Sequence, residues 1–308
     1  MDSRMPDRVQ NIFDRMKTFR RARNPRFSEP WLRNCRPVRP DRLLGKALGK
    51  RLGCGLAVVI LLHGIAGCED PESSRPGRSI SEPPPPEIVV ARELLEQGRY
   101  GMAEDLLSTL RESHPDHPSL QFLQALAVQK QKRYAVALES WNALDRIEVS
   151  YPERSHLDHY RGWCLFYLGR PEEATQAFRR HLDVVPTEPD SHFGLGVSQL
   201  ELANPEEALV SLDRAIEIDL GTVDRRRALG KAWIRRGDAL WELDRVEDAA
   251  HSYHKGVIQF VDHYEGWAKL ARAHDRLGSP EDAEWARREE ARARARVGQV
   301  EPGAEGDV

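Results

Sequence analysis

Cysteine is scarce in this chain of 308 residues, which holds only Cys35, Cys54, Cys68 and Cys164. Three of the four lie within the first 68 residues, so Cys164 stands alone in the rest of the chain. A disulfide framework is therefore excluded from the C-terminal part. The side chains next to Cys164 in sequence are apolar, which favours a small buried hydrophobic residue over a reactive nucleophile.

The sequence also lacks the patterns that support catalysis or metal binding. His156 and His159 are one helical turn apart, but no H-E-x-x-H, no C-x-x-C and no third clear ligand accompanies them. Residues 194–196 read Gly-Leu-Gly without the third glycine or the preceding strand of a nucleotide-binding loop, and no serine lies in a nucleophile-elbow pattern. We therefore expect no enzymatic activity, no metal and no cofactor.

The two parts of the chain carry opposite charge. Residues 1–51 hold 15 Lys and Arg against 5 Asp and Glu, whereas the rest holds 31 against 44. An acidic domain has the wrong sign for binding phosphates, so no nucleic-acid partner is expected. Three consecutive arginines at 225–227 form a local basic patch, which we interpret as a solvated helix face.

Long hydrophobic runs are limited to residues 52–67, sixteen positions without a charged side chain that follow Lys50 and Arg51. A membrane-spanning helix needs about 20 apolar residues, so the run fits the core of a signal peptide better. It ends in Ile65-Ala66-Gly67-Cys68, which resembles the lipobox of bacterial lipoproteins. The resemblance implies lipidation of Cys68 and cleavage before it, with residues 52–68 as signal core and lipobox.

Two other interpretations of the hydrophobic run stay open: an uncleaved signal anchor, and a cysteine that follows a buried helix by chance. The lipoprotein and the signal-anchor interpretations both place the positive flank in the cytoplasm and the following domain on the extracytoplasmic side of a bacterial membrane. Residues 1–51 are expected to be a disordered basic segment or the product of a start site placed too far upstream. Residues 69–86, rich in Pro and Ser, are expected to be an extended tether.

Small residues recur along the rest of the chain with a period near 34. Six alanines follow one another at intervals of 34, 37, 34, 41 and 34: Ala103, Ala137, Ala174, Ala208, Ala249 and Ala283. Twelve positions before each comes another small residue: Ala91, Ala125, Gly162, Gly196, Gly237 and Ala271. Such a period indicates stacked helical hairpins, and the two longer intervals indicate insertions at 152–154 and 223–229.

A bulky side chain follows the alanine by one helical turn in five of the six units: Leu107, Trp141, Phe178, Leu212 and Tyr253. Alanine and bulky residue then share a helix face, so that the bulky residue can fill the space between units. The sixth unit has Arg287 instead, as expected of a polar cap at the end of a stack.

Together these positions resemble the tetratricopeptide repeat family. The resemblance implies an all-α fold, a right-handed superhelical α-solenoid of about six helix-turn-helix repeats. We place the solenoid at 84–297, with repeats at 84–117, 118–151, 155–188, 189–222, 230–263 and 264–297, and a disordered tail at 298–308.

In this family the first helix of each repeat lines a concave surface that binds a protein or peptide. Carried over by position, the resemblance implies an aromatic-rich groove formed by Phe122, Lys130, His159, Trp163, Phe166, Tyr167, Phe193, Ile234 and Trp241. The expected function is a membrane-anchored scaffold for protein–protein interaction. An assembly factor for secretion, pilus or outer-membrane machinery, and a regulatory subunit of a membrane enzyme, stay open as alternatives.

Overall fold

The structure is a computed structural model that describes residues 84–219 and 225–298. The described residues form twelve α-helices and one short 3-10 helix, Arg154–His156, and contain no strand. The expectations for residues 1–51, for the signal core and lipobox at 52–68, for residues 69–83 of the tether and for residues 299–308 of the tail lie outside the described residues. The helices are α1 Ile88–Glu96, α2 Tyr100–Ser113, α3 Pro118–Lys130, α4 Tyr134–Asp145, α5 Leu157–Tyr167, α6 Pro171–Val184, α7 Pro189–Glu201, α8 Pro205–Asp219, α9 Arg226–Glu242, α10 Val246–Gln259, α11 Tyr264–Arg276 and α12 Pro280–Gly298.

Consecutive helices pair into six hairpins, one per predicted repeat, and each hairpin turns through one residue with a left-handed backbone. Three of these residues are glycines with φ near +70°, at Gly98, Gly169 and Gly278. The other three are Lys132, Ala203 and Asp244, with φ of 61°, 55° and 60°. The shared geometry ends the first helix and reverses the chain, although only half of the turns use the residue that adopts it without steric cost.

The recurrent small residues lie where the two helices of a hairpin cross, and all twelve are buried. A Cβ atom added at Gly162 would lie 2.8 Å from the ring of Phe178, and one at Gly237 would lie 2.5 Å from the ring of Tyr253. The bulky residue of the second helix therefore occupies the space that glycine leaves open on the first. The period-34 pattern is thus a packing pattern of small against large side chains.

First helices of neighbouring hairpins contact one another, as α1 with α3, α3 with α5, α5 with α7 and α7 with α9. Second helices pack between the first helices of their own and the following repeat. This arrangement places the first helices on the inner side of the superhelix, which is the concave side of an α-solenoid.

The buried apolar side chains form two large clusters and two small ones. One large cluster runs from Ile88 to Leu195, through the first three repeats and into the fourth. The other runs from Ile234 to Ala293, through the fifth and sixth repeats. Between them lie clusters of three residues each, centred on Leu212 and on Ile216. The apolar core is therefore thinnest where the fourth repeat meets the fifth.

Both predicted insertions contribute to the described structure. The first, 152–154, leads into the 3-10 helix and buries Glu153 completely. Only the end of the second is described, and there residues 226–229 extend the first helix of the fifth repeat, so that α9 has 17 residues.

Candidate functional site: an aromatic surface on the concave side

Four aromatic rings form a continuous array across repeats two to four. Tyr134 stacks on Tyr167 with ring centroids 4.6 Å apart and planes 16° apart. Tyr167 stacks in turn on Trp163 at 5.9 Å and 28°, and Trp163 lies 6.1 Å from Phe193 at 35°. Phe166 meets both Trp163 and Tyr167 edge-on. We call these five residues the aromatic surface.

The outer side of the aromatic surface is accessible to solvent, and its inner side packs against the core. Tyr167 is 50% exposed, and the other four side chains are half-buried. The fully buried ring of Phe178 meets Trp163 edge-on at 5.3 Å. The sequence could place four of these residues in one surface because they lie on the inner face of first helices. Tyr134, at the start of a second helix, was missed by that rule.

Two residues expected in the groove are buried, so that expectation is wrong for both. Phe122 has no exposed surface, because it packs edge-on against Trp141 at 4.9 Å and against Tyr160 at 5.7 Å. Ile234 is 2% exposed and belongs to the core of the fifth and sixth repeats. Both occupy the fifth position of their repeat, and at these two repeats that side chain packs between neighbouring hairpins rather than into the groove.

His159 and Lys130, which were also expected in the groove, are half-buried. The ring of His159 turns into the junction between repeats three and four, where its Nδ1 lies 2.7 Å from Ser191 Oγ. Lys130 is the last residue of α3. His159 thus joins two repeats, and its side chain is not directed at a partner as the groove expectation required.

Trp241 belongs to a second, polar part of the concave side. It lines a cavity of about 370 Å³ between α7, α9 and α11, together with charged side chains of repeats four to six. Asp238 accepts hydrogen bonds there from Lys269 at 2.7 Å and from the hydroxyl of Tyr253 at 3.0 Å. The guanidinium groups of Arg272 and Arg276 lie 4.9 and 5.2 Å from the Trp241 ring centre. The inner face is therefore aromatic in its first half and ionic in its second.

Of the three arginines at 225–227, Arg225 does not lie on a solvated helix face, which corrects the interpretation from sequence for that residue. Arg225 forms ion pairs with Asp190 and, at 2.7 Å, with the buried Asp219. Burial raises the pKa of Asp219, and the charge of Arg225 opposes that effect. The Arg227 guanidinium lies 5.2 Å from the Phe260 ring centre. Arg226 and Arg227 fit that interpretation, since both are exposed.

A buried ionic cluster between repeats one and three was also missed. The carboxylate of Glu153 is fully buried and accepts hydrogen bonds from Arg92 and, at 2.8 Å, from Ser119 Oγ. The three side chains come from α1, α3 and the first insertion. The sequence shows only that an acidic residue lies in the short insertion at 152–154, and this does not indicate that its side chain is buried.

Between Pro84 and Gly298, outside the undescribed 220–224, no helix is long and apolar enough to cross a membrane. In the same stretch, no group of three or more His, Cys, Asp or Glu side chains is arranged to hold a metal ion.

Solved structures with similar folds include helical-repeat proteins. A chain of the APC/C hetero-tetramer Cut9–Hcn1 aligns with a TM-score of 0.58 and 14% identity over 67% of this chain and 39% of its own length. The C-terminal part of a TPR repeat-containing protein from Cytophaga hutchinsonii aligns with a TM-score of 0.51 and 19% identity, over 68% and 80%. YrrB, described as a TPR protein with an unusual peptide-binding site, aligns with a TM-score of 0.48 and 15% identity, over 61% and 92%.

Sequence comparison identifies the family directly. No curated protein matches the chain in sequence. The family model for the tetratricopeptide repeat matches residues 91–150, 161–221 and 234–296, which cover more than half of the chain and overlap all six hairpins. The chain therefore belongs to the tetratricopeptide repeat family.

Proposed function

We propose that this protein is a membrane-anchored scaffold that binds a segment of a partner protein on its concave side. The observation that carries the proposal is the aromatic surface, which leaves Tyr167 half exposed, whereas the other large aromatic side chains of residues 84–219 and 225–298 are mostly covered. Aromatic residues dominate binding hot spots, because they offer large apolar contact area at low conformational cost. Membership of a repeat family built on extended concave surfaces supports the same proposal.

The aromatic surface is pre-organised, which is a second reason to assign binding to it. Each ring of the array contacts the next, and Phe178 supports Trp163 from the core. Side chains that are already ordered lose little entropy on association, so more of the contact energy contributes to affinity. The ionic cavity beside Trp241 would then contact the polar flank of the same bound segment.

The double substitution Trp163→Ala, Phe166→Ala tests the surface. We expect loss of partner binding, with at least a tenfold fall in the amount of crosslinked partner, because the central rings of the array are removed. The measurement is crosslinking of the intact protein in its own cells, followed by quantitative mass spectrometry and circular dichroism of the purified variant.

The matched control replaces Val184 and Val210, which are 66% and 72% exposed on second helices, with alanine. This control removes exposed apolar area from the other side of the molecule and is expected to bind as the unmodified protein does. If the aromatic variant retains its helical signal and captures the same partners in the same amounts, binding on this surface is refuted.

Membrane anchoring is the part of the proposal that rests on sequence alone, through the lipobox that ends at Cys68. Two acyl chains give stable membrane attachment, whereas one gives only marginal binding. We expect Cys68→Ser to release the protein from membranes or to leave it unprocessed, as measured by fractionation and by the mass of the mature N-terminus. Cys54→Ser is the control. Unchanged mass and unchanged membrane association of the Cys68 variant would favour an uncleaved signal anchor.

A further inference from the structure

Histidine occupies two positions of the third repeat that are apolar in most of the others. His181 is equivalent to Leu110 and Leu144, which are 8% and 1% exposed in the first two repeats. His159 is equivalent to four apolar residues in other repeats: Ile88, Phe122, Phe193 and Ile234. A titratable ring at a core position that is leucine in the first two repeats reduces stability without any benefit to the fold itself.

His181 is buried without a hydrogen-bond partner. It is 1% exposed, and neither ring nitrogen bonds to another group. Its ring centre lies 5.4 Å from that of His159 and 5.7 Å from that of His156. Burial, with smaller contributions from His159 and His156, lowers the pKa of His181 to about 3. The ring is therefore neutral in the closed structure at every physiological pH.

The other charged groups that face His181 do not offset a proton on it. Asp158, on α5, is the one carboxylate that acts on His181 with the opposite sign, and it is already paired with Arg180 at 2.9 Å. His192, on α7, acts on His181 with the same sign as the other histidines, and its Nε2 lies 2.9 Å from the carbonyl oxygen of Pro186. A proton on His181 would thus be a buried charge among other proton acceptors.

The same junction supports the aromatic surface. His159 joins α5 to Ser191 of α7, and its ring lies 6.5 Å from that of Phe178. Phe178 contacts Trp163 on its other side. Separation of α6 from α5 and α7, which would hydrate His181, would therefore remove the support beneath Trp163.

We propose that the junction of repeats three and four is a proton-sensitive joint, in which His181 destabilises the closed packing of α6 against α5 and α7 at acidic pH. The sign follows from linkage: a histidine that titrates near 6.5 when exposed and near 3 when buried binds more protons in the open state between these values. Stability of the joint is complete above pH 6.5 and falls as the pH decreases. At pH 4.5 the open population rises about 100-fold relative to pH 7.5.

Hydrogen exchange of the full-length protein, resolved by mass spectrometry between pH 7.5 and 4.5, tests the joint. The quantity measured is a ratio: the exchange rate of residues 157–184 in the unmodified protein divided by the rate of the same residues in His181→Leu. Because the two peptides are nearly identical, the ratio cancels the pH dependence of the intrinsic exchange rate. The leucine variant carries the side chain of the first two repeats at this position, so we expect it to fold. The expected ratio rises steeply below pH 6.5, up to about 100-fold.

Two further measurements separate the joint from a general effect of acid. His251→Gln replaces an exposed histidine of the fifth repeat. When this variant takes the place of the unmodified protein, the exchange ratio for residues 157–184 should rise with acid in the same way. Residues 100–113, in the first repeat, should exchange alike in all variants. The proposal is overturned if the ratio for residues 157–184 at pH 4.5 is within twofold of its value at pH 7.5. It is also overturned if the ratio for residues 100–113 rises with acid as much as the ratio for residues 157–184. Neither readout depends on a bound partner, so failure of the joint leaves the scaffold proposal intact.

Discussion

Glu153→Ala should lower the free energy of unfolding by about 3–5 kcal/mol, because it leaves the guanidinium of Arg92 without a counter-charge in a buried site. The carboxylate is fully buried, and the Arg92 side chain is 15% exposed. Ser119 loses its acceptor in the same step, and a buried hydroxyl without a partner adds to the cost. Urea unfolding followed by circular dichroism measures the change.

A matched pair of variants separates the charge effect from lost packing. Glu148→Ala removes a nearby exposed glutamate and should change the free energy of unfolding by less than about 0.5 kcal/mol. The double variant Arg92→Met, Glu153→Leu replaces both charges with apolar groups and should recover most of the loss, since no unpaired charge is left. A single Glu153→Ala variant within about 1 kcal/mol of the unmodified protein would show that Glu153 does not hold repeats one to three together.

Phe178→Ala is expected to cost about 3–5 kcal/mol, because it removes a fully buried ring at the junction of repeats three and four. The ring fills the space above two glycines: a Cβ atom at Gly162 would lie 2.8 Å from it, and one at Gly194 would lie 2.4 Å from it. Since Trp163 packs on the same ring, its fluorescence should shift to longer wavelength as well. Thermal and urea unfolding provide the energy.

The coupling between Phe178 and Gly194 gives the sharpest test of this packing. Gly194→Ala alone should destabilise by about 1–3 kcal/mol through overpacking, whereas in the Phe178→Ala background the added methyl group enters vacated space. The double variant should therefore be more stable than the sum of the single changes predicts. Additive energies would mean that the ring does not occupy the space over Gly194.

The repeat architecture could be predicted from sequence because its determinants recur. Each alanine and each small residue twelve positions earlier is buried in every hairpin, so six weak signals reinforce one another. The left-handed turns at Lys132, Ala203 and Asp244 show that the pattern tolerates departures in single residues. The number of hairpins follows from this periodicity, and the superhelical fold follows from the family that the periodicity resembles.

The site could be predicted only in part, because its chemistry does not recur. The family resemblance implied that Trp163, Phe166 and Tyr167 share one surface, and their rings do contact one another. Phe122 shares a repeat position with Phe193, yet one is buried and the other half-exposed, and the difference arises from the tyrosines that surround Phe122. The partners of Glu153 and Arg225 lie up to 61 residues away, at distances that no local pattern encodes.

The buried Glu153 has a consequence for cooperativity. In an ideal solenoid each repeat contacts only its neighbours, so repeats can fray from an end one at a time. Glu153 lies between the second and third repeats but bonds to Arg92 of the first, and one apolar cluster covers the same stretch. Loss of the first repeat would leave a buried carboxylate behind in the next two. Repeats one to three should therefore melt as a single block, and a truncation that starts at the second repeat should yield a less stable domain than its hairpin count suggests.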